Sequence, residues 1–317
     1  MSIEISGAAA GRVVGSLDGY YSVRLDGGGD VRCRPRGVFR KDGVAVAVGD
    51  RVTVKGHGSD TAEAVIDSVT ARRNLLIRPP IANVDRLLIM IAAARPDPVP
   101  LVTDKLISVA EYNSIEPVIV ISKADLAPER AGELEAEYRS SGFTVFVCAH
   151  GDDSGPAALK GYIAENPASV TAFAGASGVG KSTMIGRLFP MYSADRRQGD
   201  VSRRGRGRHT TREVTLHAIS VEAESGEPLW LADTPGFSLI DMERFDFFEL
   251  DDLPFTFREF LPYLGKCRYS DCRHLKDEGC AVLSAMEEGR IDPRRHESYA
   301  AMYGELKDKK PWDKKRQ

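Results

Sequence analysis

The octapeptide Gly175-Ala176-Ser177-Gly178-Val179-Gly180-Lys181-Ser182 matches the pattern GxxxxGK[ST], and its flanks restrict what it can be. An apolar run, 170–174, precedes it, and a stretch with helical spacing, 183–189, follows. Strand, glycine loop and helix together make a phosphate cradle. The glycines let backbone N–H groups curl around phosphate oxygens, and the helix N-terminus adds a favourable dipole. In this reading Lys181 reaches the β- and γ-phosphates, Ser182 ligates Mg²⁺, and Thr183 closes the set of loop contacts. Such a loop belongs in an α/β layer, and the surrounding chain supplies one. Runs 86–94, 117–121, 144–148, 214–221 and 229–232 read as buried strands, with helical stretches at 100–113 and 130–141. Continuous apolar strands alternating with helices indicate a mostly parallel sheet covered on both faces.

A second phosphate element follows. Trp230-Leu231-Ala232-Asp233-Thr234-Pro235-Gly236 is an apolar strand ending in DxxG. Asp233 is suited to hold Mg²⁺ through water, and the Gly236 N–H to sense the γ-phosphate. Between the two elements runs Arg203-Arg204-Gly205-Arg206-Gly207-Arg208-His209-Thr210-Thr211. A threonine here can complete the Mg²⁺ shell, Thr211 as first choice and Thr210 as second.

The base-reading elements of P-loop GTPases normally come after the P-loop. Here the nearest match to N/TKxD is Ser122-Lys123-Ala124-Asp125, and the nearest match to the short Ser-Ala loop is Val147-Cys148-Ala149. Both precede the P-loop. The Asp125 carboxylate can pair with guanine N1–H and N2–H₂, donors that adenine lacks, and the Ala149 N–H can contribute whatever the side chain at 148. The order is that of a circular permutation, which is allowed because domain termini often lie close together at the surface.

The 317 residues suggest about two domains at ~150 residues each. Pattern raises this to three, at 1–75, 76–240 and 241–317. The first segment has short alternating runs between turn signals such as Asp26-Gly27-Gly28-Gly29 and Lys41-Asp42-Gly43. That spacing predicts a small all-β barrel, and a five-stranded OB barrel suits the length. Its basic residues, Arg24, Arg32, Arg34, Arg36, Arg40, Lys41 and Arg51, fit either an RNA-binding face or a solvated rim.

The last segment is expected to be mostly α with a metal site. Cys267-x4-Cys272-x-His274-x5-Cys280 puts three thiols and an imidazole within one short stretch. A closed Cys₃His set suits structural Zn²⁺, with no open position for chemistry. Five cysteines are too sparse for a disulfide scaffold, and Cys33 and Cys148 read as isolated small core or near-surface residues.

A net charge of −3 speaks against nucleic acid as a partner, but the charges are clustered. Residues 196–212 carry seven arginines against Asp200, and residues 307–316 carry six basic residues against Asp308 and Asp313. Residues 241–259 offset them with seven acids. Local fields of this kind are compatible with RNA contact. The N-terminus has no basic and apolar leader pattern, and the longest apolar run is far below the roughly 18 residues of a membrane span, so a soluble cytoplasmic protein is expected.

The motif order, Ala82-Asn83-Val84-Asp85 after Arg78-Pro79, the Gly207-Arg208-His209-Thr210-Thr211 loop and the cysteine cluster together resemble the ribosome small-subunit-dependent GTPase family (RsgA, also called YjeQ) over nearly the whole chain. The resemblance implies a circularly permuted P-loop GTPase between an OB barrel and a zinc domain. It implies GTP and GDP with Mg²⁺ as ligands and hydrolysis stimulated by the small (30S) ribosomal subunit during late maturation. It also implies partners in that subunit and its rRNA, alongside other assembly factors, and a monomer. One departure stands out. The family usually has Asn or Thr where this chain has Ser122, whose shorter hydroxyl predicts weaker GTP binding with GTP still preferred over ATP. A Gln that orients water usually follows DxxG in Ras-type enzymes, whereas this chain has Phe237-Ser238-Leu239. His209 is the candidate to position water in its place, with RNA contact beside Arg204, Arg206 and Arg208 as the other reading. Lys181 is expected to be essential for turnover in either case. A different class also fits, a zinc-containing RNA-binding module whose nucleotide site regulates binding with little turnover.

Overall fold

A computed structural model describes residues 7–41, 43, 45–56, 64–77, 80–190, 214–219, 228–233 and 247–307. The arginine loop with His209, Thr210 and Thr211, Gly236 of DxxG, the Arg78-Pro79 pair and the tail after Lys307 lie outside the described residues. The chain divides into two compact units that do not follow chain order. One comprises Met1–Arg86, Ala164–Ala172 and Met191–Gly236; the other comprises Leu87–Ile163, Phe173–Pro190 and Phe237–Gln317.

The first unit holds the barrel. Strands β1 (Ala8–Leu17), β2 (Tyr20–Leu25), β3 (Asp30–Pro35), β4 (Arg51–Gly56) and β5 (Ala64–Val69) follow one another, with a short helix α1 (Gly37–Lys41) after β3. Asp18 and Gly19 both have positive φ, +50° and +77°, the geometry of a two-residue turn that matches strand twist, and they join β1 to β2. β1 pairs with β2, β2 with β3, β3 in parallel with β5, β5 with β4, and β4 again with β1. The ring is therefore closed with five strands, as expected of an OB barrel. Alternate side chains fill it: Val13, Val23, Cys33, Val52, Val54 and Ile66 are buried inside. Cys33 is one of these core residues, and burial pushes its thiol up to about 11.

A hairpin of β6 (Leu75–Ile77) and β7 (Pro80–Ala82) follows the barrel. In the same unit the first part of β11 (Val170–Ala174) runs parallel to β13 (Leu229–Asp233). β12 (Thr215–Ile219) runs antiparallel to β13, so the sheet is mixed at this point. β1 joins β12 through the Gly15 and Thr215 pair.

The second unit carries β8 (Arg86–Ala92), β9 (Glu116–Ser122) and β10 (Thr144–Val147), adjacent in that order, with β9 and β10 parallel. β8 is buried along its whole length and β9 from Pro117 onward, which explains their unbroken apolar sequences. Helices α2 (Pro100–Tyr112), α3 (Pro128–Ser140), α4 (Ser154–Ala164) and α5 (Lys181–Leu188) belong to this layer. After a 3₁₀ segment, Leu250–Thr256, come α6 (Ala281–Glu287) and α7 (Pro293–Lys307).

A buried ion cluster fastens α7 to α2. Arg295 is fully buried; it donates to Asp104 on α2 and, at 2.7 Å, to Glu259. Its guanidinium lies 4.7 Å from the Phe257 ring centre and 5.3 Å from that of Phe143. Removing one partner from such a cluster leaves an uncompensated buried charge.

Candidate functional site

The phosphate loop begins where β11 ends. Gly175 has φ +131°, and a Cβ there would strike the Met90 carbonyl of β8, so glycine is required both by conformation and by space. Gly178 and Gly180 also take positive φ, +81° and +97°, and the chain enters α5 at Lys181. The Lys181 ammonium is half-buried and donates to the carbonyls of Gly175 and Ala176 at 2.6 and 2.8 Å. Burial lowers its pKa. Ala176 is partly buried, Val179 is packed in the core, and Ser177, Ser182 and Thr183 face solvent at the loop and helix start.

The residues expected to read a base end β9 and β10, and they are bonded to this loop and to each other. Ser122 is buried, and its Oγ donates to the Val179 carbonyl at 2.7 Å. Lys123, in the left-handed region at φ +56°, extends its ammonium to the Gly178 carbonyl at 2.9 Å and to that of Arg95. The Asp125 carboxylate accepts the His150 N–H at 2.8 Å, which joins the loops that follow β9 and β10. Cys148 continues that junction: its N–H donates to Ile121 at 2.7 Å, and its carbonyl accepts the Ala124 N–H. Its thiol is buried and pushed up to about 11, so it stays neutral and packs as a small apolar group. Ala149 is partly exposed beside it.

Arg187, in the last turn of α5, was not singled out by its sequence context. Its guanidinium donates to the Ala149 carbonyl at 3.1 Å and to the Asp152 carbonyl at 2.5 Å, and it pairs with Asp153 at 2.6 Å. A lone arginine near a helix end reads equally as a solvated charge, so no local signal marks it. Asp233 occupies the last position of β13. Thr211, His209 and Gly236, named above for Mg²⁺, water and γ-phosphate, fall outside the described residues.

The comparisons with known proteins agree with this layout. Residues 69–243 match the RsgA GTPase family model, and residues 10–66 match the RsgA N-terminal domain model. A relative from Geobacillus thermodenitrificans, named small ribosomal subunit biogenesis GTPase RsgA, is 38% identical over 308 residues, covering 96% of this chain and 99% of the relative. The chain belongs to the RsgA GTPase family. A second RsgA relative, from Ruminiclostridium cellulolyticum, is 36% identical over 94% of both chains. Among solved structures, YloQ, described as a circularly permuted GTPase, is 30% identical with a TM-score of 0.74 over 96% of both chains. YjeQ from Thermotoga maritima is 30% identical with a TM-score of 0.75, covering 96% of this chain and all of the other. Membership of the RsgA family makes the chain a GTP hydrolase, and GTP or GDP with Mg²⁺ its ligands.

The cysteine cluster is a separate centre in the second unit. Its four ligand atoms lie within 4.8 Å of one another. His274 Nδ1 is 3.5 Å from Cys267 Sγ, 3.6 Å from Cys272 Sγ and 3.5 Å from Cys280 Sγ, and the sulfurs of Cys267 and Cys280 are 3.9 Å apart. A tetrahedral zinc with Zn–S about 2.3 Å and Zn–N about 2.0–2.1 Å puts S···N at about 3.6 Å and S···S at about 3.8 Å. The donor set and its spacing therefore fit zinc.

The outer contacts fit it too. His274 has φ +60°, its carbonyl lies 2.7 Å from His296 Nε2, and the Ala281 N–H donates to Cys267 Sγ at 3.4 Å. Burial pushes the Cys272 thiol up to about 12 and lowers the His274 imidazole. A neutral imidazole is ready to ligate, and burial favours the neutral thiol at Cys272 and Cys280. No helix among the described residues is long and apolar enough to cross a membrane.

Proposed function

We propose that this chain hydrolyses GTP to GDP and phosphate in late maturation of the small ribosomal subunit, with the subunit as stimulator and its rRNA as a contact. One observation carries the nucleotide half of this reading. Ser122, Lys123 and Asp125 are tied to the P-loop and to the Cys148–His150 loop by direct hydrogen bonds, so phosphate-binding and base-reading groups form one connected unit. The ribosomal half rests on the names of relatives that align over nearly the whole chain.

In this reading the P-loop from Gly175 to Thr183 holds the phosphates, with Lys181 countering their charge. Ser182, Asp233 and Thr211 hold Mg²⁺, which neutralises charge on the β- and γ-phosphates when bound. Asp125 and the Ala149 N–H read guanine, and the Gly236 N–H senses the γ-phosphate. His209 positions the attacking water. Cys267, Cys272, His274 and Cys280 hold one structural Zn²⁺. The functional segments are 1–75 for RNA, 76–240 for nucleotide and 241–317 for the zinc domain.

RNA contact is supported on the barrel by Tyr20, whose ring centre lies 3.7 Å from the Arg32 guanidinium and 4.3 Å from that of Arg34. An aromatic ring with two guanidinium groups close to its centre on strands β2 and β3 suits the nucleic-acid face of an OB barrel. The arginines of 196–212 and the basic tail add to it. The protein is read as a cytoplasmic monomer that works beside other assembly factors.

The second reading is a nucleotide-regulated RNA-binding module, favoured by the absence of a Gln after DxxG. Hydrolysis of GTP and ATP with and without purified small subunits separates the two. The enzyme reading expects slow multiple turnover of GTP that subunits accelerate, lost in Lys181→Ala. Subunit binding with no turnover beyond a single equivalent supports the module instead.

A further inference from the structure

Arg187 stands where the phosphate helix meets the base-reading loop. It lies six residues after Lys181 on α5, and its side chain is about three-quarters buried, at 28% exposure. Among the described residues, the polar contacts of its guanidinium go to one loop: the carbonyls of Ala149 and Asp152, and the Asp153 carboxylate at 2.6 and 3.1 Å. Two carbonyls and a carboxylate fix the plane of the guanidinium, and the guanidinium in turn fixes the loop.

That loop carries two amides in the base-reading position, those of Ala149 and His150. The His150 N–H is already committed to Asp125. A peptide plane held at its carbonyl is also held at its N–H one residue on, because the peptide unit is rigid. Fixing the Ala149 carbonyl therefore fixes the His150 N–H and, through it, the Asp125 carboxylate. Fixing Asp152 and Asp153 limits the loop from its other end, before α4 begins. Gly155, at the start of α4, comes so close to the Val147 carbonyl that a Cβ would strike it, so the loop has little slack there.

We propose that Arg187 is a positioning residue for guanine recognition: it clamps the Ala149–Asp153 loop to the phosphate helix, so that phosphate binding and base reading share one rigid frame. The clamp matters more here than in a site with Asn at position 122. Ser122 spends its hydroxyl on the Val179 carbonyl, which leaves Asp125 and the 149–150 loop to discriminate the base. This inference rests on the guanine-nucleotide reading above. It adds a residue that touches neither base nor phosphate.

The test is titration of GDP and ADP, with Mg²⁺, into the full-length protein and its Arg187→Ala, Arg187→Lys and Asp153→Asn variants, with thermal melting alongside. Loss of these charge-assisted hydrogen bonds, the one to Ala149 part-buried and the others solvent-exposed, predicts about fivefold weaker GDP binding in Arg187→Ala. ADP, which is held by its phosphates alone, stays within about twofold, so the GDP preference narrows. Arg187→Lys keeps one contact and falls between. Asp153→Asn shifts GDP in the same direction by about two- to threefold, and it does so without removing the arginine. Equal weakening of GDP and ADP means Arg187 only supports α5, and it overturns the proposal, as does unchanged GDP affinity. If the unmodified protein itself binds ADP as tightly as GDP, the guanine reading fails first, and the role of Arg187 fails with it.

Discussion

The Ser122 hydroxyl donates a 2.7 Å hydrogen bond to the Val179 carbonyl inside the phosphate loop. A shorter side chain than Asn thus still braces the loop; in the proposed reading, the contact it lacks is the one an amide would make to the base. The two roles separate by mutation. Ser122→Ala leaves a buried carbonyl without its donor, at a cost of about 1 kcal/mol, and weakens GTP and ATP by the same few-fold factor. Ser122→Asn restores the amide and is expected to tighten GTP by a few-fold to tenfold while leaving ATP unchanged. Nucleotide titration of the three proteins decides it. Tightening of both nucleotides by Ser122→Asn would mean that position 122 acts on the loop alone.

Zinc is expected at one ion per chain, and its loss should be felt locally. The cluster loop docks on α7 through His274 and His296, and through the Tyr299 hydroxyl, which donates to the Arg273 carbonyl at 2.8 Å. Chelation, or Cys272→Ala, should lower the melting temperature and raise hydrogen exchange in 267–307. Because thiols give up their protons on ligating zinc, and burial raises the Cys272 thiol, zinc affinity should fall as pH falls. Metal analysis after dialysis at graded pH checks this. Retention of full stability with no bound metal would remove zinc from the account.

Glu137 gives the fold a pH dependence of defined sign. It is buried on α3 with Arg294 3.2 Å away, and burial raises its carboxyl to about 7. Its folded pKa lies above the ordinary value of 4.5, so between roughly pH 4.5 and 7 the folded chain holds a proton that the unfolded chain has released. This contribution to stability is present below that window and is lost as pH rises through it. Glu137→Gln should flatten the slope of stability against pH across the window, as read from denaturant midpoints. An unchanged slope would place the titration elsewhere.

Parts of this layout were legible in the sequence for physical reasons. β8 and β9 are buried strands, so Leu87 to Ala92 and Pro117 to Ile121 stand as unbroken apolar runs. The Cys₃His cluster was legible because four donor side chains gathered within fourteen residues leave a local spacing. Barrel closure was legible only as a class: the pairings of β3 with β5 and β1 with β4 join distant segments and leave no local mark. Helix α4 has no local signature, since Ser154-Gly155-Pro156 is turn-like in composition, whereas Gly155 lets the helix start against Val147. Arg187 leaves no mark in the sequence because its partners are mainly backbone carbonyls, which no side-chain pattern reveals.

Asp125→Asn tests most directly whether guanine is read by residues that precede the phosphate loop in the chain. An Asn amide can still accept the His150 N–H, so the loop junction survives the change. The amide cannot accept both guanine donors, but it can donate to the C2 oxygen of xanthine. Titration of GDP, XDP and ADP into the protein and this variant should show GDP weakened by at least about tenfold, XDP strengthened and ADP unchanged. A variant that binds GDP as tightly as the unmodified protein would contradict the account.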